Sequence, residues 1–290
     1  MFFLGTGAAE LSPNPFCNCE VCARLRKEGA KPRKRSSLLI DSRNIVDFGP
    51  EVPAASQQYG QPLYDLDNVF ITHTHEDHFA ASTAEILTMT PYRNGRTLEI
   101  YMSEKGIAWT FSMIEAMDSV SRGKSSFRKL LDTGKIRFVP VKPYVDFTAG
   151  GMEVFAVESN HHANGDGELA LNYLFRLANG KKLMYAADTG LYDKKNLEAL
   201  SGSKADCLVM EGTGGSKPFP DESAHLNAEN YVRNVHAMAE NDVISNNTAI
   251  FVTHICSVGN NYNHEEYQAY LDANCRYKAT VAYDGMEYSL

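Results

Sequence analysis

No apolar run in this 290-residue chain approaches the roughly 18 residues of a membrane-spanning helix, which excludes a helical membrane span. The N-terminal Met1-Phe2-Phe3-Leu4-Gly5 is too short for a secretory apolar region. It reads instead as a first strand entering a Gly5-Thr6-Gly7 turn, and the cytoplasm is the expected compartment. Positive charge is also scarce: 28 Lys and Arg face 36 Asp and Glu, a net charge of −8. An acidic surface disfavours nonspecific binding to nucleic-acid phosphates. A small anionic substrate stays compatible with it, because bound metals supply local positive charge. The single basic run, Lys31-Pro32-Arg33-Lys34-Arg35, reads as a solvated loop. Low-complexity tracts, long linkers and internal repeats are not evident, so residues 1–290 are read as one domain. A hydrophobic content of 43%, with 15 Tyr and 14 Phe, is ample for a sizeable core. The six cysteines are too clustered for a disulfide framework.

Against this background one stretch stands out: His73-Thr74-His75-Glu76-Asp77-His78. It follows Val69-Phe70-Ile71, a short β-branched and aromatic run that reads as a buried strand. Three histidines and two carboxylates at a strand end are hard to explain as packing. Neutral imidazole suits Zn, Fe, Mn or Cu, and aspartate is a hard oxygen ligand. The H-x-H-x-D-H spacing fits a loop folded around metal rather than one face of a helix.

The second signal is Cys17-Asn18-Cys19-Glu20-Val21-Cys22. Three thiols within six residues can converge on one tetrahedral zinc, whereas disulfides between such near neighbours would be strained. Closure needs a fourth ligand from elsewhere. Cys207 and Cys275 lie in or near apolar runs and read as inert core thiols.

The histidine motif resembles the signature of the metallo-β-lactamase superfamily, and the resemblance runs along the whole chain. It implies that His73 and His75 bind a first metal, and Asp77 and His78 a second. It further implies His161 as the third ligand of the first metal, with His162 an alternative beside it. Asp188 would bridge both metals, and His254 would complete the second. Each follows an apolar run, so a sheet presenting residues from several strand ends could gather them. The implied cofactors are two divalent metals (Zn or Mn, with Fe a further choice) and one structural Zn. The C-x-C-x-x-C just after the N-terminal turn is similar to two branches: the cyclic phosphodiesterases of phosphonate breakdown and the pyrroloquinoline quinone biosynthesis B proteins. In the phosphodiesterase branch the fourth structural-zinc ligand is a His at the position of Ser257. Here Cys256 is taken as its substitute, with His264 the other choice. His225, ahead of an expected helix, resembles a substrate-side His of that branch and of related tRNA-processing nucleases. It would contact a phosphate oxygen or protonate a leaving alkoxide.

The expected fold class is α/β, the αβ/βα four-layer sandwich of that superfamily. Strands are expected at 36–41, 44–48, 68–72, 97–102, 135–140, 152–158, 169–177, 182–186, 206–210, 248–253 and 278–283. Helices are expected at 79–89, 104–118, 124–132, 193–200, 226–240 and 263–272, with Asn227 as an N-cap. The implied activity is hydrolysis of a small or cyclic phosphodiester, with Asp77 orienting or deprotonating the nucleophile and His225 serving the leaving group. The ligand set equally permits thioester or lactone hydrolysis, and the quinone-biosynthesis resemblance implies an oxidative alternative. The expected partner is a small phosphodiester, not a membrane or a nucleic acid, and homodimerisation is left open.

Overall fold

The computed structural model describes residues 1–30, 32–83, 95–121, 126–259 and 261–290. Its first sheet is built from β1 (Phe2–Gly5), β2 (Ser37–Asp41), β3 (Asn44–Val46), β4 (Asn68–Phe70), β5 (Leu98–Ser103) and β6 (Ile136–Val141), in that spatial order. The first three strands are antiparallel neighbours; from β3 to β6 they run parallel. The second sheet is β7 (Phe147–Ala149), β8 (Met152–His162), β9 (Leu169–Arg176), β10 (Lys182–Ala186), β11 (Ala205–Glu211), β12 (Ile244–Thr253) and β13 (Ala279–Val281). It is antiparallel from β7 to β10 and parallel from β10 to β13.

Alternation along the strands sorts the apolar residues into layers, since successive strand side chains face opposite sides. Phe3, Val46 and Phe70 point between the sheets, where they meet Val154, Phe175, Leu183 and Phe251. Their neighbours Leu4, Ile45 and Val69 point the other way, onto α2 (Val52–Tyr59), α3 (Glu104–Ser121) and α4 (Ser126–Asp132). The outer face of the second sheet, through Met184, Leu208 and Val252, packs on α5 (Lys194–Leu200), α6 (Ala228–Glu240) and α7 (His264–Asn274). Three apolar clusters between four layers are the expected αβ/βα sandwich. Phe70 ties the two sheets: it stacks on Tyr101 at 4.9 Å and meets Phe175 edge-on at 4.9 Å. Truncating such a ring costs about 3–5 kcal/mol.

Two helices have no counterpart among the expected elements: α1 (Glu20–Lys27) and α2. Only Val21 and Cys22 of α1 are buried, and its eight residues are too short a run for their apolar face to stand out in the sequence. Pro53 in α2 reads as a breaker, but it sits in the first turn, where its missing N–H costs nothing. The helix expected at 79–89 lies beyond Thr83 outside the described residues. Asn227 does cap α6, its side chain accepting from Asn230 N. Among the described residues no helix is long and apolar enough to cross a membrane.

Candidate metal centre

The strand ends converge at one edge of the sandwich. The loop after β4 carries His73, His75, Asp77 and His78; the last turn of β8 carries His161. Asp188 follows β10 and His254 follows β12, and both have left-handed backbones, with φ of 48° and 55°. Asp47, after β3, is a third such residue, with φ of 60°. Left-handed conformations are uncommon for residues other than glycine and persist only where surrounding structure enforces them.

The side chains form two tetrads that share Asp188. In the first, His75 Nδ1 lies 3.0 Å from His73 Nε2 and 3.1 Å from His161 Nε2. Asp188 Oδ2 closes it at 3.5 Å from His73 and 3.6 Å from His161. In the second, His78 Nε2 lies 3.2 Å from both His254 Nε2 and Asp77 Oδ2, and His254 lies 3.3 Å from Asp77. Asp188 Oδ1 stands 3.3 Å from His78 and 3.1 Å from His254. A tetrahedral ion with bonds of about 2.0–2.1 Å has ligand–ligand edges of about 3.3–3.4 Å. Both tetrads therefore have the size of a divalent coordination shell. Among the described residues, buried Asp188 Oδ1 makes no hydrogen bond, as suits an atom whose partner is a cation. All seven residues expected at this centre are brought together; His162, on the exposed face of β8, is not.

Protonation states agree with ligation at three of the ligands, whereas at His78 and His254 burial opposes charge but the Asp188 and Asp77 carboxylates outweigh it and raise both rings. Burial, reinforced by neighbouring His78, holds His73 neutral, and burial lowers His161 to about 4. Burial alone would raise the Asp77 carboxyl, but His78 and His254 hold it well below the usual carboxylate range. Neutral imidazoles and ionised carboxylates are the forms a metal requires.

A layer of supporting groups fixes the rings. Asp47, fully buried, accepts from Thr72 N and Thr72 Oγ1 at 2.9 Å each, and its other oxygen lies 2.7 Å from His78 Nδ1. Thr213 Oγ1 meets His254 Nδ1 at 2.7 Å. The Gly212–Ser216 loop therefore backs a metal-facing histidine. Asp47, Thr213 and buried Glu211 are absent from the expected site residues. Asp47 and Glu211 do follow apolar strands, as the expected ligands do.

His225 lies two residues ahead of the α6 cap. Its Nδ1 is 2.8 Å from Glu211 Oε1, and a nitrogen of its ring comes within 4.8 Å of Asp188 and His254 ligand atoms. Burial opposes charge on this ring, but the Glu211 carboxylate outweighs it and raises His225 to about 9. Asn160 anchors this loop: its Nδ2 donates to Ser223 O at 3.0 Å, and its Oδ1 accepts from Gly190 N at 2.8 Å. A Cβ at Gly190 would collide with Ser223 O, so only glycine allows this approach.

The second cluster is Cys17, Cys19 and Cys22, whose sulfurs lie within 4.8 Å of one another. Cys19 also caps α1, its sulfur accepting from Cys22 N at 3.5 Å. The expected fourth thiolate does not join them. Cys256 lies against Glu10, and burial, with that carboxylate beside it, raises its thiol to about 12. Ser257, the next residue, faces the thiols in its place. His264 is not there either; its Nδ1 accepts from Arg33 Nη2 at 2.9 Å.

These layers and ligand clusters define a metallo-β-lactamase fold whose strand ends carry the residues of a two-metal centre. The chain belongs to the β-lactamase superfamily, whose family model, the beta-lactamase superfamily domain, matches residues 43–254. Among relatives, it is 24% identical over 164 residues to ribonuclease Z of Methanopyrus kandleri, covering 56% of this chain and 46% of that one. It is 24% identical over 241 residues to coenzyme PQQ synthesis protein B of Nitrosococcus oceani, covering 72% of each. The chain thus spans about half the length of the ribonuclease Z it matches, and 56% of the anti-Pycsar protein Apyc1 of Paenibacillus xerothermodurans. Among solved structures, a diphosphatase from the PhnP family superposes with a TM-score of 0.72 at 19% identity, covering 98% of this chain and 94% of that one. Zn(2+)-bound PqqB from Methylobacterium extorquens gives 0.71 at 18% identity, covering 100% and 99%.

Proposed function

We propose that this protein is a phosphodiesterase acting on small or cyclic phosphodiesters. His73, His75, His161 and Asp188 would hold one divalent metal, and Asp77, His78, His254 and Asp188 the other. When bound, such a pair polarises the ester and lowers the pKa of a bound water. Asp77 fixes the second position and orients the nucleophile. His225 borders the same centre. Its Nδ1 is engaged by Glu211, which leaves the other ring nitrogen to donate a proton to the departing alkoxide. That pairing is the observation that carries the reading: a hydrolase with a good leaving group needs no buried carboxylate to keep a histidine charged. The activities named for relatives, a diphosphatase and a ribonuclease Z among them, support phosphoryl chemistry, and the net charge of −8 favours a small substrate over nucleic acid.

The test is a parallel assay of metal-loaded protein on cyclic phosphates, bis-aryl phosphates and thioesters. Turnover of the phosphodiesters is expected, with little on thioesters. Oxygen uptake by iron-loaded protein, with no phosphodiester turnover, would instead select an oxidative enzyme.

A further inference from the structure

The thiol cluster lacks a fourth partner of the expected kind, and its surroundings identify another. Ser257 is buried, 2% exposed, and turned toward the sulfurs. Its hydroxyl oxygen lies 3.7 Å from Cys22 Sγ. Its carbonyl oxygen lies 3.8 Å from Cys19 Sγ and 3.9 Å from Cys22 Sγ, on the same side. For a tetrahedral zinc with sulfur bonds of about 2.3 Å and an oxygen bond of about 2.1 Å, the sulfur–oxygen edge is about 3.6 Å. The hydroxyl therefore already stands one coordination edge from a thiol.

A further contact prepares that oxygen. Ser12 Oγ donates to Ser257 Oγ at 2.7 Å, and Ser12 is itself buried. A hydroxyl oxygen has two lone pairs; the bond from Ser12 uses one and leaves the other for an acceptor role toward the sulfurs. The supporting hydrogen bond orients Ser257 as outer groups orient metal ligands elsewhere. The competing donors are engaged in other directions, Cys256 toward Glu10 and His264 toward Arg33.

We infer that the thiol site is an S3O site, in which Cys17, Cys19 and Cys22 are joined by the Ser257 hydroxyl held in place by Ser12. The inference rests on the reading that the cysteine loop holds a structural metal. Ser12 and Ser257 also line a cavity of about 330 Å³ bounded by Arg33, Tyr262 and His264. A site with three thiolates and one hydroxyl should exchange its metal more readily than a four-thiolate site.

Cobalt-loaded full-length protein tests this directly, because sulfur-to-cobalt charge transfer reports the thiol site and not the nitrogen–oxygen centre. In Ser257→Cys the band should grow by roughly one third, as three thiolates become four. In Ser257→Ala, zinc release to a chromogenic chelator should be at least roughly tenfold faster, with the three-thiolate band retained. Cys256→Ser should match the parent in both measurements. A band that is indifferent to Ser257→Cys, a release rate unchanged in Ser257→Ala, or a band diminished in Cys256→Ser would each overturn the Ser257 assignment alone. A parent protein with no sulfur-to-cobalt band at all would overturn the metal at the thiols, and this inference with it.

Discussion

Glu211 lies under His225, its Oε1 2.8 Å from the ring Nδ1 while it also accepts from Thr189 N at 3.1 Å. The backbone that follows Asp188 and the proposed proton donor thus share one carboxylate. Replacing His225 by Ala should leave metal content unchanged and slow turnover by roughly 10²–10⁴-fold, the usual range for a general acid. The loss should be smaller with nitrophenolate leaving groups, which need little protonation. Equal losses for good and poor leaving groups would reassign His225 to substrate binding.

Asp188 is the residue common to both tetrads. Asp188→Ala should lower metal content and rate together, measured by elemental analysis of chelator-free preparations alongside kinetics. Full metal retention with a lost rate would remove Asp188 from the ligand set.

Asp47 touches no expected metal position, yet it holds three donors in a fully buried setting. Asp47→Ala leaves Thr72 N without a partner and strips Thr72 Oγ1 and His78 Nδ1 of their shared carboxylate, at about 1–3 kcal/mol for each group left unsatisfied. It should also weaken metal binding by roughly 10–100-fold through His78. Denaturant titrations with and without metal separate the two effects. A variant with parental stability and affinity would show that the carboxylate is dispensable.

Cys19 serves both the thiol cluster and the α1 cap. Cys19→Ser should lower the melting temperature and remove one zinc, while folded protein keeps its active-site metal. Serine preserves a capping acceptor, so the stability loss reports the metal and not the helix start. Unchanged zinc content would count against a metal at these thiols.

Much of this was legible in the sequence because the motif residues follow apolar strands, and the sheets bring strand ends together. The four-layer order follows from pairs such as Phe3 and Leu4, or Val69 and Phe70, whose opposite facing follows from strand alternation alone. The choice of His161 over His162 depended on family order; β8 supplies the physical reason, since adjacent strand residues face opposite sides. Asp47 and Glu211 were hidden because their partners lie 31 and 14 residues away, and a carboxylate after a strand is common. Cys256 misled for a related cause: spacing along a chain fixes reach but not the direction a side chain takes.

Each tetrad draws ligands from both sheets: His73 and His75 meet His161, and Asp77 and His78 meet His254. An ion held there is a rivet through the sandwich, and neither sheet can hold it alone. Metal capture at this centre must follow docking of the two halves, so a partly folded chain has nothing to load. The thiol loop gathers its three sulfurs from six consecutive residues, so these three donors, unlike Ser257, can meet an ion before the sheets dock. If both sites are loaded, one polypeptide would thus acquire its metals at two different moments of its own assembly.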